Sequence, residues 1–174
     1  AMQPPGNGYG IFRRNTGVDP ERRPGVLLVH GLDEPGGIWA DLVPVLGASD
    51  FDTWEFLYPN DQGIDISADL LAASWSDIPV DQRLVLVGHS MGGLVIRDFV
   101  SRWRHPVAVP PRVAGASVQG VILAGTPNQG SDWARLRVWL ELRDQWAAGR
   151  QSGFAPLGGL RDGTGAAKID LVPG

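Results

Sequence analysis

Residues 88–92 read Gly-His-Ser-Met-Gly, a serine with a glycine two residues before it and another two residues after it. A serine hydroxyl can attack a carbonyl carbon if the backbone lifts it into the open. Its neighbours show how that is done. Residues 84–87 (LVLV) form an apolar run of strand type, and residues 94–103 repeat apolar side chains at helical spacing. A strand that must become a helix within so few residues forces the central residue into a strained backbone, and only small flanking residues leave room. Gly88 and Gly92 are those residues, so the stretch reads as a nucleophile elbow with Ser90 as the catalytic serine. The free amides of the following helix's first turn point toward developing negative charge. With 24 glycines in the chain, a chance turn is the competing reading. The strand before the motif and the amphipathic helix after it favour the elbow.

The full stretch GHSMGG, Gly88 to Gly93, resembles the elbow of the α/β-hydrolase superfamily, and within it that of lipases and esterases. Two further stretches are similar to that family. The apolar run 26–30 (VLLVH) ends in His30, Gly31 and Leu32, like the family's strand before the first large helix. The resemblance implies that the Leu32 amide forms half of an oxyanion hole and the Met91 amide the other half. Two amides on one oxygen stabilise a tetrahedral intermediate, and losing one such donor costs about 3 kcal/mol of barrier. His30 itself reads as a structural strand-end histidine rather than a catalytic one. Residues 126–131, Thr-Pro-Asn-Gln-Gly-Ser, resemble a turn that lipases carry after the strand following the elbow. Such a loop lies at the carboxyl edge of the sheet, where ligands bind in open α/β folds.

The elements that must hold these residues alternate. Strands are expected over residues 26–30, 53–58, 84–87 and 118–125. Ile38, Trp39, Leu42, Val43 and Leu46 predict a helix stopping at Gly47. Ile66, Leu70, Leu71 and Trp75 predict another, with Ser67 as its N-cap. This order predicts an α/β fold, a mainly parallel sheet with helices on both faces. Residues 1–24 read as an N-terminal arm, 25–131 as the N-terminal part of an α/β-hydrolase core, and 132–174 as a lid-like or cap-like segment of helix and loop. In that last segment Leu136, Trp139, Leu140 and Leu142 share a helical face, which an ordinary packing helix would also explain. Only residues 168–172 hint at another strand there. Asp33 and Glu34 follow the expected oxyanion strand and read as solvated loop acids that could tune substrate choice.

Composition sets the outer limits. A chain of 174 residues, 43% of them hydrophobic, suits one globular unit. Fifteen Lys and Arg against 19 Asp and Glu give a net charge of −4, so no polybasic surface for nucleic acid is expected. Cysteine is absent, which excludes thiol chemistry and leaves the compartment open. No run of about 18 apolar residues occurs, so no transmembrane segment is expected. The opening lacks a signal-peptide core, Ala1 and Met2 read as a cloning remnant, and secretion after loss of a leader stays compatible with the rest. The histidines are scattered, and neither HEXXH nor a dinucleotide motif is present, so neither a metal nor any other cofactor is expected.

A serine at its free pKa needs a base, and the triad order of this fold is serine, then acid, then histidine. The three histidines are His30, His89 and His105, and none occupies the expected position. The acid and histidine are therefore expected on an absent segment or a second polypeptide. A noncatalytic binding module and an unorthodox enzyme using His105 are the alternatives. Related lipases carry a stretch resembling Pro-Gly-Ser beyond the lid, so the end at Val172, Pro173 and Gly174 looks like a cut, by self-cleavage or proteolysis, that leaves a paired second chain. The expected activity is hydrolysis of a carboxylic ester or lipid-like small molecule through an acyl-enzyme on Ser90. Acyl transfer, amide hydrolysis and thioester hydrolysis would use the same parts.

Overall fold

The computed structural model of the chain describes residues 8–17, 23–32, 37–59 and 62–127. Asp33 and Glu34, the latter part of the 126–131 turn, the lid-like segment, the 168–172 strand and the end at Gly174 lie outside the described residues. Five strands are described: β1 (Gly10–Asn15), β2 (Gly25–Val29), β3 (Thr53–Leu57), β4 (Arg83–His89) and β5 (Ser117–Ala124). The helices are α1 (Leu42–Ala48), α2 (Ile64–Ala73) and α3 (Met91–Phe99). The sheet order is β1-β3-β2-β4-β5. β1 runs antiparallel to β3, and the other pairings are parallel, as the strand–helix alternation predicts.

Strand alternation sends successive side chains to opposite faces. Leu27 and Val29 of β2 join Trp54, Phe56, Leu84 and Leu86 on the face that α2 and α3 cover with Leu71, Val95, Ile96 and Phe99. Val26 and Leu28 point the other way, toward Trp39, Leu42, Val43 and Leu46 around α1. β2 is apolar throughout because both of its faces are covered. Trp75 and Phe99 pack with ring centroids 4.7 Å apart under α3, both fully buried.

The order of the strands positions the site. From β2 the chain steps outward to β3, then crosses back over β2 to β4 and continues to β5. The winding direction reverses between β2 and β4, and in open α/β sheets the crevice beyond such a reversal receives ligands. His30, Gly31 and Leu32 follow β2 there, and Ser90 follows β4.

Several local expectations change. The stretch assigned to an N-terminal arm contributes β1, whose apolar signal is cut short by Arg13 and Arg14. Both arginines are used: Arg13 pairs with Asp52, and Arg14 Nε donates to Glu55 Oε2 at 2.7 Å. Ser67 is not an N-cap. α2 begins at Ile64 after Gly63, and the buried Ser67 hydroxyl donates back to the Gly63 carbonyl at 3.1 Å. Gly47 does not stop α1, which runs to Ala48; the left-handed residue beyond it is Asp50, at φ 59°. Gly47 instead admits the Asn15 side chain, whose Nδ2 donates to Val43 O at 2.8 Å. The helix after the elbow ends at Phe99 and continues as a π-helical turn, Val100–Arg104.

Candidate active site

β4 runs into α3 through one residue, Ser90, at φ 52° and ψ −121°. No side chain but glycine's adopts that backbone without cost, so the strain marks a turn that its surroundings hold in place. Its amide donates to Ala124 O at the end of β5 at 2.8 Å, and its carbonyl accepts from the Gly93 amide at 3.2 Å. The glycines leave room as the spacing requires. A Cβ on Gly88 would stand 2.6 Å from Gly93 N and Cα, and one on Gly92 would overlap the carbonyl oxygens of Val29 and His30. The last glycine of GHSMGG has its own cause, because a Cβ on Gly93 would overlap the Thr126 side chain. Thr126 of the second recognised turn thus packs on the first turn of the elbow helix.

Ser90 is 7% exposed, and its Oγ has no hydrogen-bond partner among the described residues. The end of β2 lies directly against it, since a Cβ on Gly31 would stand 3.0 Å from Ser90 Cβ. Leu32, one residue further, packs against the main core. Met91 opens α3 with its side chain buried in that core, which leaves its amide in the helix's free first turn. Ser90, Leu32 and Met91 therefore belong to one end of the sheet, at the winding reversal.

The histidines separate by place. His30 is fully buried and stacks on Tyr58, with ring centroids 4.4 Å apart and 19° between planes. Its Nδ1 lies 2.9 Å from Gly31 O, and because a carbonyl only accepts, Nδ1 carries the proton. Tyr58 donates its hydroxyl to His30 O at 2.7 Å. Burial pushes the Tyr58 pKa far above its ordinary value, so the hydroxyl stays a donor. His89 meets the edge of Trp39, with ring centroids 6.4 Å apart. His105 follows the π-helical turn, is exposed, and donates its amide to Val100 O at 2.7 Å. Along α3 and that turn it is roughly 20 Å from Ser90.

Tyr58 and the Thr126–Gly93 contact were missed from the sequence. The β2–β3 register pairs Val29 with Phe56, which brings Tyr58 level with Gly31 two residues on. Nothing within either strand states that register. Among the described residues no group of three or more His, Asp or Glu side chains is gathered to hold a metal, and no helix is long and apolar enough to cross a membrane.

Solved structures with the same fold include the mature lipase BlEst2 of Bacillus licheniformis, at TM-score 0.54 and 20% identity over 67% of this chain and 46% of that one. The propeptide form of the same lipase gives TM-score 0.52 and 24% identity, over 67% of this chain and 25% of that one. A carboxylesterase structure from the thaumarchaeon Nitrososphaera gargenis gives TM-score 0.56 and 17% identity, over 92% of this chain and 60% of that one. The matches thus span between 25% and 60% of the length of these chains. No curated protein matches it. The family model described as the alpha/beta hydrolase family matches residues 26–171, which takes in both the β2 end and the Ser90 turn, and the chain belongs to that family.

Proposed function

We propose that the chain carries the nucleophile and oxyanion-binding part of a serine hydrolase acting on carboxylic esters, lipid-like esters included. The observation that carries this reading is Ser90. It sits in a strained turn at the winding reversal of the sheet, with its Oγ uncommitted among the described residues and Gly31 against it. In this reading Ser90 Oγ attacks the ester carbonyl and passes its proton to a histidine. The Leu32 and Met91 amides stabilise the resulting oxyanion. Collapse of the tetrahedral intermediate expels the alcohol, which takes the proton from the histidine, and water then hydrolyses the acyl-serine by the same route. No cofactor takes part.

The base is not one of this chain's own histidines. His30 is committed to Gly31 O, His89 turns to Trp39, and His105 lies beyond α3. We assign acid and histidine to a further segment or a second polypeptide that completes the sheet beside β5. The exposed Val121, Ile122 and Leu123 on that strand support this placement. A noncatalytic module is the second reading, favoured by the lack of any base partner for Ser90 among the described residues. A fluorophosphonate probe decides between them: it labels Ser90 in the complete enzyme, and absence of labelling there rejects the catalytic reading. Mass spectrometry of the natural product reports whether a second chain accompanies this one. Turnover of p-nitrophenyl esters from acetate to palmitate, set beside matched amides and thioesters, fixes the substrate class.

A further inference from the structure

We infer that Thr126 is a positioning residue for the nucleophile, acting through Gly93 on the first turn of α3. This rests on the reading of Ser90 as the nucleophile. The Ser90 turn, at φ 52° and ψ −121°, keeps its shape only if its surroundings hold it. The end of β5 holds it twice. Ala124 O accepts from the Ser90 amide at 2.8 Å. Two residues later, the Thr126 side chain fills the place that a side chain on residue 93 would take. A Cβ on Gly93 would overlap Thr126 Oγ1 and stand 2.8 Å from its Cγ2 and 2.9 Å from its Cβ. The Gly93 amide in turn donates to Ser90 O at 3.2 Å. One three-residue stretch, 124–126, thus pins both ends of the turn 90–93, which carries the Ser90 hydroxyl and the Met91 amide.

The residues around Thr126 build this clamp. Gly125 has φ 62°, and a Cβ on it would meet nothing within 4 Å, so glycine serves there for its backbone and not for space. That left-handed residue turns the chain out of β5 and onto α3. Pro127 restricts the residue before it to extended backbone, which stiffens Thr126. The Thr126 atom nearest the missing Cβ of Gly93 is an oxygen. Oγ1 is buried there and has no hydrogen-bond partner among the described residues. A Cα–H group meets an oxygen favourably at about 3.3–3.6 Å, whereas carbon packs on carbon at about 3.5–4.0 Å. The hydroxyl therefore lets the end of β5 lie closer to the elbow helix than a valine would. Loosening this contact lets the Ser90 hydroxyl and the Met91 amide drift together, and misplacement by about 1 Å can cost about 10²-fold in rate.

The test uses the complete enzyme and three variants, Thr126→Ala, Thr126→Ser and Thr126→Val. Alanine removes both Oγ1 and Cγ2, serine keeps the oxygen, and valine puts a methyl in its place. A displacement smaller than 1 Å is expected, so Thr126→Ala should lower kcat by roughly tenfold at unchanged KM. Thr126→Ser should recover most of that loss, and affinity for a boronic acid that forms a tetrahedral adduct on Ser90 should fall in parallel with kcat. A merely structural threonine would lower Tm without that kcat-only effect and its rescue by serine. Unchanged kcat in folded Thr126→Ala, a loss confined to KM, or no rescue by Thr126→Ser overturns the inference. If Thr126→Ala does not fold, Thr126→Val decides: it keeps the bulk and loses the oxygen, so a lowered kcat at unchanged KM supports the inference and any other result overturns it. Fluorophosphonate labelling of Ser90 in the unsubstituted enzyme stands apart from these outcomes, so failure of the inference is distinguishable from failure of the catalytic assignment.

Discussion

β2 and β5 look alike as sequence, VLLV against VILA, yet they live in different surroundings. Every residue of β2 is buried, between β3 and β4 and under helices on both faces. β5 stands at the end of the described sheet, and Val121, Ile122 and Leu123 are 40%, 55% and 36% exposed. An apolar run on an open edge is a template for pairing with another strand. The difference separates a strand enclosed on every side from one at the end of the described sheet. The centre of the sheet is close-packed to the point that glycines are obligatory, and the edge tolerates change.

The largest expected effect is at the centre. Ser90→Ala in the complete enzyme should lower kcat by on the order of 10⁶-fold, as loss of a serine nucleophile does elsewhere. Undiminished ester turnover would remove Ser90 from the chemistry. Next comes a pair of identical substitutions. Gly92→Ala drives a methyl into the Val29 and His30 carbonyls and should destabilise the fold by about 3 kcal/mol. Gly120→Ala on β5 meets nothing within 4 Å and should be neutral or stabilising by up to about 1 kcal/mol. Denaturant unfolding of both variants checks the contrast, and equal costs would break it.

Ile122→Lys sharpens the edge side. It places a charge on an exposed strand position, so stability should stay within about 0.5 kcal/mol while self-association, read by sedimentation, decreases. A large drop in Tm would mean that β5 is already packed.

The smallest effect is a pH slope at the other edge of the sheet, where Glu55 of β3 pairs with Arg14 of β1. Desolvation raises the Glu55 carboxyl pKa, and the Arg14 charge and hydrogen bond only partly oppose it. The folded state therefore holds the proton more tightly than the unfolded chain. The contribution is full below the ordinary carboxylate range and is lost as pH rises through the raised value. Glu55→Gln should flatten the fall of Tm as pH rises above the ordinary carboxylate range, and an unchanged slope would assign it to other groups.

Local chemistry was legible from the residues alone. The strand–turn–helix pattern around Ser90, with Gly88 and Gly92 in place, determines a strained elbow because its causes lie within a few residues. The apolar runs likewise determined β2 to β5 and the parallel α/β arrangement, since periodicity and alternation are local properties. β1 escaped because Arg13 and Arg14 face partners, Asp52 and Glu55, that are about 40 residues away along the chain. Only the tertiary structure decided the rest. Strand order puts Tyr58 beside His30, Thr126 on Gly93 and the Gly31 turn against Ser90, and it leaves β5 rather than β2 at the edge. These contacts depend on which strands are neighbours and in what register. A side-chain pattern with period two repeats identically in every apolar strand and carries no record of its neighbours.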